Sequence, residues 1–120
     1  MPLHVAKTDP LEILNSRELS SVTFVRDYLQ LAFDGPKLTV ITDPLIVTAD
    51  ARYSRDTPEF CNMLLKCIGK RVRRGSLTEG DSLTLAFDND FTIEVSLRPE
   101  DHHGPEAVIF DAGPDVWYVW

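Results

Sequence analysis

The sequence predicts an α+β fold: an antiparallel curved or partly closed sheet made of two related β-meanders, with one amphipathic helix between them packed on the sheet. Three observations lead there. Tyr28-Leu-Gln-Leu-Ala-Phe-Asp34 returns as Ser82-Leu-Thr-Leu-Ala-Phe-Asp88 at an offset of 54, and such a repeat decides architecture before any other signal. In both copies apolar and polar residues alternate with a period of two, the mark of a strand with one buried face. Between the copies Phe60, Met63, Leu64, Cys67 and Ile68 fall at helical spacing, which places them on one face of a helix.

The elements follow in chain order. Leu11–Leu19 reads as a short helix or turn. Val22–Val25 is a strand leading through Arg26-Asp27 into the first hairpin. Beyond the first turn, Leu38-Thr-Val-Ile-Thr42 aligns with Phe91-Thr-Ile-Glu-Val95 at an offset of 53, making the second turn one residue shorter, and a proline follows each copy, Pro44 and Pro99. The turns Asp34-Gly-Pro-Lys37 and Asp88-Asn-Asp90 hold residues that tolerate tight backbone angles. Their two leading Asp residues are expected to bond local amides. Leu45–Ala49 adds a β segment.

For the helix, Thr57 is the expected N-cap, Pro58 the first helical residue and Gly69 the C-terminal cap, giving Thr57–Ile68. Lys66 and Lys70 complement its dipole. Arg71–Leu77 then leads through Thr78-Glu-Gly-Asp81 into the second hairpin. A last hairpin joins Ala107–Phe110 to Val116–Trp120 across Asp111-Ala-Gly-Pro-Asp115, with at least one tryptophan docked because a free tail would not carry so much apolar surface. The chain is therefore one domain, 1–120, with a pseudo-repeat over about 14–50 and 68–99 and a hairpin over 107–120. The alternative fold is a small β-barrel plugged by the helix. Only Met1–Lys7 is expected to lack order.

Composition narrows the function. A hydrophobic content of 43% and a charged content of 26% are those of a globular domain with a single core. No apolar run nears the roughly 20 residues needed to cross a bilayer, and the N-terminus lacks the basic start and apolar stretch of a signal peptide. A cytoplasmic location and no membrane partner are expected. The net charge of −7 argues against nucleic acid. The charge is also lopsided: Lys66, Lys70, Arg71, Arg73 and Arg74 cluster, whereas Arg98 is the one base among the acids from Glu79 to Asp115. Lys70-Arg-Val-Arg-Arg74 reads as a solvated edge strand kept from unwanted pairing by its charge, with Arg71 and Arg73 on one face and Lys70, Val72 and Arg74 on the other. Contact with phosphates is the alternative.

No nucleophile elbow, phosphate-binding glycine loop or dinucleotide fingerprint is present, and no catalytic residue, metal ligand or cofactor is assigned. Cys61 and Cys67 are separated by about 600° of helical rotation, so their thiols point apart and no disulfide is expected. Asp101-His-His-Gly-Pro-Glu106 comes nearest to a site, since imidazoles and carboxylates bind divalent metals. Adjacent histidines in an extended loop point in different directions, however, and the only other histidine is His4. A polar loop turned by Gly104-Pro105 is the preferred reading. A metal-assisted or acid–base enzyme using His102, His103 and Glu106 is the alternative.

The two Leu-x-Leu-x-Phe-Asp hairpins, the intervening helix, Gly104-Pro-Glu-Ala107 and the final Trp117-x-Val-Trp120 resemble a family of small bacterial proteins whose general size and style are those of toxin-immunity proteins. The resemblance covers most of the chain and implies a protein that neutralises a toxin by direct binding; it brings no catalytic residues. Acidity, small size and the aromatic, acidic C-terminal segment agree with a non-catalytic protein-binding module. Its contact candidates are Glu100, Asp101, His102, His103, Glu106, Asp115, Trp117, Tyr118 and Trp120. A homodimeric module that pairs exposed strand edges is a further alternative.

Overall fold

The computed structural model describes residues 9–120, so the expectation for Met1–Lys7 lies outside it. Ten strands and one short helix follow in order: β1 (Ser21–Val25), β2 (Tyr28–Ala32), β3 (Lys37–Val40), β4 (Pro44–Val47), β5 (Arg52–Ser54), α1 (Phe60–Leu65), β6 (Val72–Thr78), β7 (Ser82–Phe87), β8 (Thr92–Ser96), β9 (Val108–Gly113) and β10 (Val116–Val119). Every pairing is antiparallel. The α+β class and the two meanders are as the alternation predicts. Leu29, Leu31 and Phe33 are buried in the first copy and Leu83, Leu85 and Phe87 in the second, while the residues between them are half-exposed.

The sheet is not one sheet, and it is not closed. The strands form two open five-stranded sheets, ordered β1-β2-β3-β9-β10 and β5-β4-β8-β7-β6. The barrel alternative therefore does not hold. Each sheet consists of one meander completed by two strands from the other half of the chain: β9-β10 joins β3, and β4-β5 joins β8. The registers match across the exchange. Leu38 and Val40 face Phe110 and Val108 in one sheet, as Ile93 and Val95 face Ile46 and Pro44 in the other. One strand further out, Tyr118 pairs with Phe110 as Tyr53 pairs with Ile46. The repeated unit is therefore five strands long, and the C-terminal hairpin belongs to it. One face of each sheet contributes to a single buried cluster, joined by Leu11, Leu14 and Leu19 and by Phe60, Leu64 and Cys67.

Register corrects the alignment of the repeats. Phe33 donates its N–H to the carbonyl of Pro36, and Phe87 does the same to that of Phe91. Leu31 pairs with Leu38 and Leu85 with Ile93, so Leu38 matches Ile93 and the second turn is one residue longer, not shorter. In the first turn both Asp34 and Gly35 take positive φ, 55° and 130°, which lets a two-residue loop follow the twist of the strands. Asp34 thus acts through its backbone angle; in the longer turn Asp90, not Asp88, takes the left-handed position. Pro44 and Pro99 are not equivalent either. Pro44 opens β4, whereas Pro99 lies in a 3-10 turn (Pro99–Asp101) within an insertion between β8 and β9.

The helix is shorter than the spacing predicts. Glu59 stands at its cap, Thr57 Oγ1 is turned back to the Ser54 carbonyl, and after Leu65 the chain tightens into i→i+3 bonds from Cys67, Ile68 and Lys70. Such turns advance about 120° per residue rather than 100°. Phe60, Leu64 and Cys67 stay buried while Ile68 swings out to 38% exposure. The short segment β5, absent from the sequence reading, precedes this region, and α1 rests against β4 and β5.

The basic strand is not a free edge. Residues 9–19 cover it: Asn15 Oδ1 accepts from Gly75 N at 2.9 Å, Asp9 Oδ2 accepts from Leu77 N at 2.7 Å, and Val72 exchanges backbone bonds with Ser16 and Arg17. A bulge between Val72 and Arg74 breaks the expected alternation. Val72 and Gly75 consequently face inward, and Arg73 and Arg74 are both exposed. Gly75 is required by packing, because a Cβ there would lie 2.9 Å from the Leu11 carbonyl oxygen and 3.0 Å from its Cβ. Backbone cannot retreat as a side-chain tip can. Gly75→Ala is expected to lower stability by about 1–3 kcal/mol in urea unfolding, while Gly104→Ala, with nothing within 4 Å of its Cβ, should leave the midpoint unchanged. Equal midpoints would refute the packing role of residues 9–19.

Candidate functional site

The contact candidates separate into two places. Glu100, Asp101, His102 and His103 sit in the insertion between β8 and β9 and line a cleft of about 730 Å³ together with Asp43, Arg52, Asp81, Glu94 and Arg98. Asp115 and Trp117 belong to the β9-β10 hairpin and line a separate hollow. Tyr118 and Trp120 turn the other way. Tyr118 stacks on Phe110 with centroids 6.0 Å apart and on Trp120 at 5.8 Å, and both pack against the core. Trp120 is also held by backbone bonds to Val108. Trp120 is therefore the docked tryptophan, and Trp117, 62% exposed, is the free one. Glu106 is half-buried next to Ala107.

The cleft is a hold for the inserted loop. Arg98 reaches Asp101 at 3.2 Å, Asp81 at 3.9 Å and Glu100 at 4.0 Å, and Arg52 pairs with Glu94 at 3.0 Å. His102 Nε2 meets the Leu97 carbonyl and His103 Nε2 meets Asp43 Oδ2, each at 3.1 Å. The two imidazoles thus have different partners, as expected of neighbours in an extended loop. Among the described residues no three His, Cys, Asp or Glu side chains gather where one metal ion could be held. Both guanidiniums are already engaged, and exposed pairs of this kind contribute about 0–1 kcal/mol each. Arg98 and His103 tie the insertion to Asp81 and Asp43, while the Arg52–Glu94 pair links β5 to β8. The Ser96 hydroxyl, donating at 2.6 Å, holds the Asp101 carboxyl below its usual range, with Arg98 adding to the effect.

The thiols differ in their surroundings. Cys61 is exposed and Cys67 buried. Burial pushes the Cys67 thiol up to about 11, offset in part by a hydrogen bond with Asn89. A thiol this hard to ionise is a poor nucleophile.

The other place is the outer face of the first sheet, where Tyr28, Gln30, Thr39, Ile41, Ile109 and Trp117 line a shallow groove of about 330 Å³, flanked by Lys37 and Asp111. Gln30 Nε2 donates to Thr39 Oγ1 at 3.2 Å along its floor. Val119 pairs beside Ile109 and is 55% exposed. The corresponding face of the second sheet has a different character. The registers set Tyr28 against Ser82, Ile41 against Ser96, Trp117 against Arg52 and Val119 against Ser54. Ile109 against Leu45 is the conserved apolar position. The first sheet thus displays Tyr28, Ile41, Trp117 and Val119 where the second displays hydroxyls and a paired arginine, while Asp111 stands where the second sheet has Val47. Sequence reasoning found Trp117 but missed Tyr28, Ile41 and Ile109. The Tyr28/Ser82 mismatch within the repeat was a signal available for the first of them.

No known protein family, curated protein or solved structure matches this chain. Among the described residues no helix is long and apolar enough to cross a membrane.

Two outcomes follow from this chemistry. In native protein at pH 8, a disulfide reagent should titrate one thiol per chain, Cys61, and two after denaturation; rapid modification of both in the native state would contradict the burial of Cys67. Ser96→Ala should raise the Asp101 carboxyl toward its ordinary range in an NMR titration. Wild-type Asp101 keeps its charge, and the loop its tether, above that range, losing both only as pH falls through the lowered value. An unmoved Asp101 titration would show that Ser96 is not the cause.

Proposed function

We propose that the chain is a non-catalytic, cytoplasmic protein-binding module of the immunity type, one that neutralises a toxin by direct contact through the outer face of its first sheet. The observation that carries this reading is the divergence between the two copies. A scaffold alone needs no exposed tryptophan, and the second sheet manages without one. Exposed apolar patches rimmed by polar groups are typical of protein-binding surfaces, and an exposed tryptophan is among the residues most often found at the energetic centre of an interface. Asp111 and Asp115 flank Trp117, and the chain carries a net charge of −7; both favour a basic partner and fast, electrostatically steered association. The acids of the cleft are engaged by Arg52, Arg98 and His103, and His102 by the Leu97 carbonyl, so these residues form a secondary contact at most. Lack of convergent catalytic groups in the cleft favours binding over the enzyme alternative.

The test places a photocrosslinking amino acid at Trp117 and, as control, at Thr84 on the outer face of the second sheet, in cells that make the protein. Position 117 is expected to capture one polypeptide that position 84 does not. A host producing that polypeptide should stop growing, and recover when this chain is supplied but not when Trp117→Ala is, because losing such an anchor weakens binding by roughly 30-fold or more. Equal capture at both positions, or no growth arrest, would refute the proposal.

A further inference from the structure

Four strand edges end the two sheets, and two of them are blunted. The β6 edge is covered by residues 9–19 through Asp9, Asn15 and Arg17. β5 is three residues long and carries Arg52, paired to Glu94. β1, Ser21-Val-Thr-Phe-Val25, also has neither charge nor proline; Arg55 Nη2 donates to its last carbonyl, that of Val25, at 2.8 Å. The β10 edge is Val116-Trp-Tyr-Val119, with neither charge nor proline, and it lies beside the apolar groove. Charges, prolines and covering segments are how sheet edges avoid pairing with other chains, so among the described residues β1 and β10 are left open, and of the two only β10 places a side chain, Trp117, in the apolar groove.

Its geometry defines what would fit. Tyr118 and Trp120 pair with Phe110 and Val108 toward β9. In an antiparallel ladder, residues alternate in the direction their backbone groups point. The N–H and C=O groups of Trp117 and Val119 therefore point away from the sheet, ready to bond an added strand. The side chains of those same residues stand on the outer face, 62% and 55% exposed. A strand laid against β10 would form main-chain bonds there and set every second side chain next to Trp117 and Val119.

A second copy fits this edge poorly. Each copy brings a net charge of −7 and sets Asp111 and Asp115 at the end of the same hairpin, so pairing two β10 strands would bring like charges together. The hollow at the end of the hairpin has Asp34, Asp111 and Asp115 beside one base, Arg17, which suits a cationic side chain. Resting on the protein-binding reading above, we infer that β10 takes an extended segment of the partner as a sixth strand of the first sheet. That segment carries an apolar side chain against Trp117 and a lysine or arginine over the Asp111–Asp115 end.

The inference is tested with peptides. Random 12-residue peptides displayed on phage are selected against the intact protein, and the recovered sequences are synthesised for fluorescence anisotropy. They are expected to alternate apolar residues and to contain a base. Methylating the backbone nitrogen at alternate positions should weaken binding about tenfold or more, with little effect at the intervening ones, and amide NMR shifts should concentrate at 117–119 rather than 52–54. Peptides that bind at 117–119 but are indifferent to N-methylation would overturn strand addition and leave the binding surface standing. Recovery of no peptide would also overturn it, as would a dimer at micromolar concentration whose amide shifts map to β10. A failed crosslink at position 117 bears on the wider reading instead, so the two fail separately.

Discussion

The interlocking of the two halves is the constraint on which the rest of the structure depends. Each meander is an incomplete sheet whose inner edge, β3 or β8, is covered by a hairpin from the opposite half. Phe110, fully buried, reaches the first sheet only because β9 crosses over from the second unit, and Ile46 reaches the second only because β4 crosses from the first. The crossing from β3 to β4 takes residues 41–43 and is fixed where the buried Thr42 donates its hydroxyl to the Ser96 carbonyl at 2.9 Å. An unpaired polar group at that depth would cost about 1–3 kcal/mol, so a bond there sets where the chain changes sheets. The opposite crossing uses residues 97–107, and its extra length is anchored by Arg98, Asp101 and His103.

That arrangement separates scaffold from function. Inward positions of the two copies are nearly interchangeable in character: leucine, phenylalanine, isoleucine and valine in both, with Tyr53 and Tyr118 at matching places on the outer strands. Selection for a common core explains these residues. It does not explain the outward positions, where Trp117 and Arg52 occupy equivalent sites. The proposal for function therefore rests on outward residues alone.

Local pattern made the meanders legible in the sequence, because alternation in Leu29–Phe33 and Leu83–Phe87 reports burial without reference to partners. Which strand lies beside β3 is a long-range choice with no local mark, and the sequence reading accordingly joined the halves into one sheet. Matching residue identities align Leu38 with Phe91, whereas hydrogen-bonding register makes Ile93 its equivalent in the second copy. β5 escaped notice because Arg52-Tyr-Ser54 is too short to show a period. The helix was overextended because helical spacing cannot foresee the tighter turn after Leu65. Of the nine contact candidates, Tyr118 and Trp120 proved to be core-packed neighbours of Trp117, since a strand's period assigns them the opposite face but does not say which face is buried.

The most direct test of the interlocked architecture is to cut the chain between its halves. A protease recognition sequence placed between Asp56 and Thr57, in the connection from β5 to α1, allows the folded protein to be cleaved after purification. Two fragments that remain together, with the mass of the intact chain in light scattering and native amide shifts throughout both sheets, are the result expected of exchanged hairpins. Fragments that separate on dilution, with one of them retaining native shifts by itself, would contradict the account.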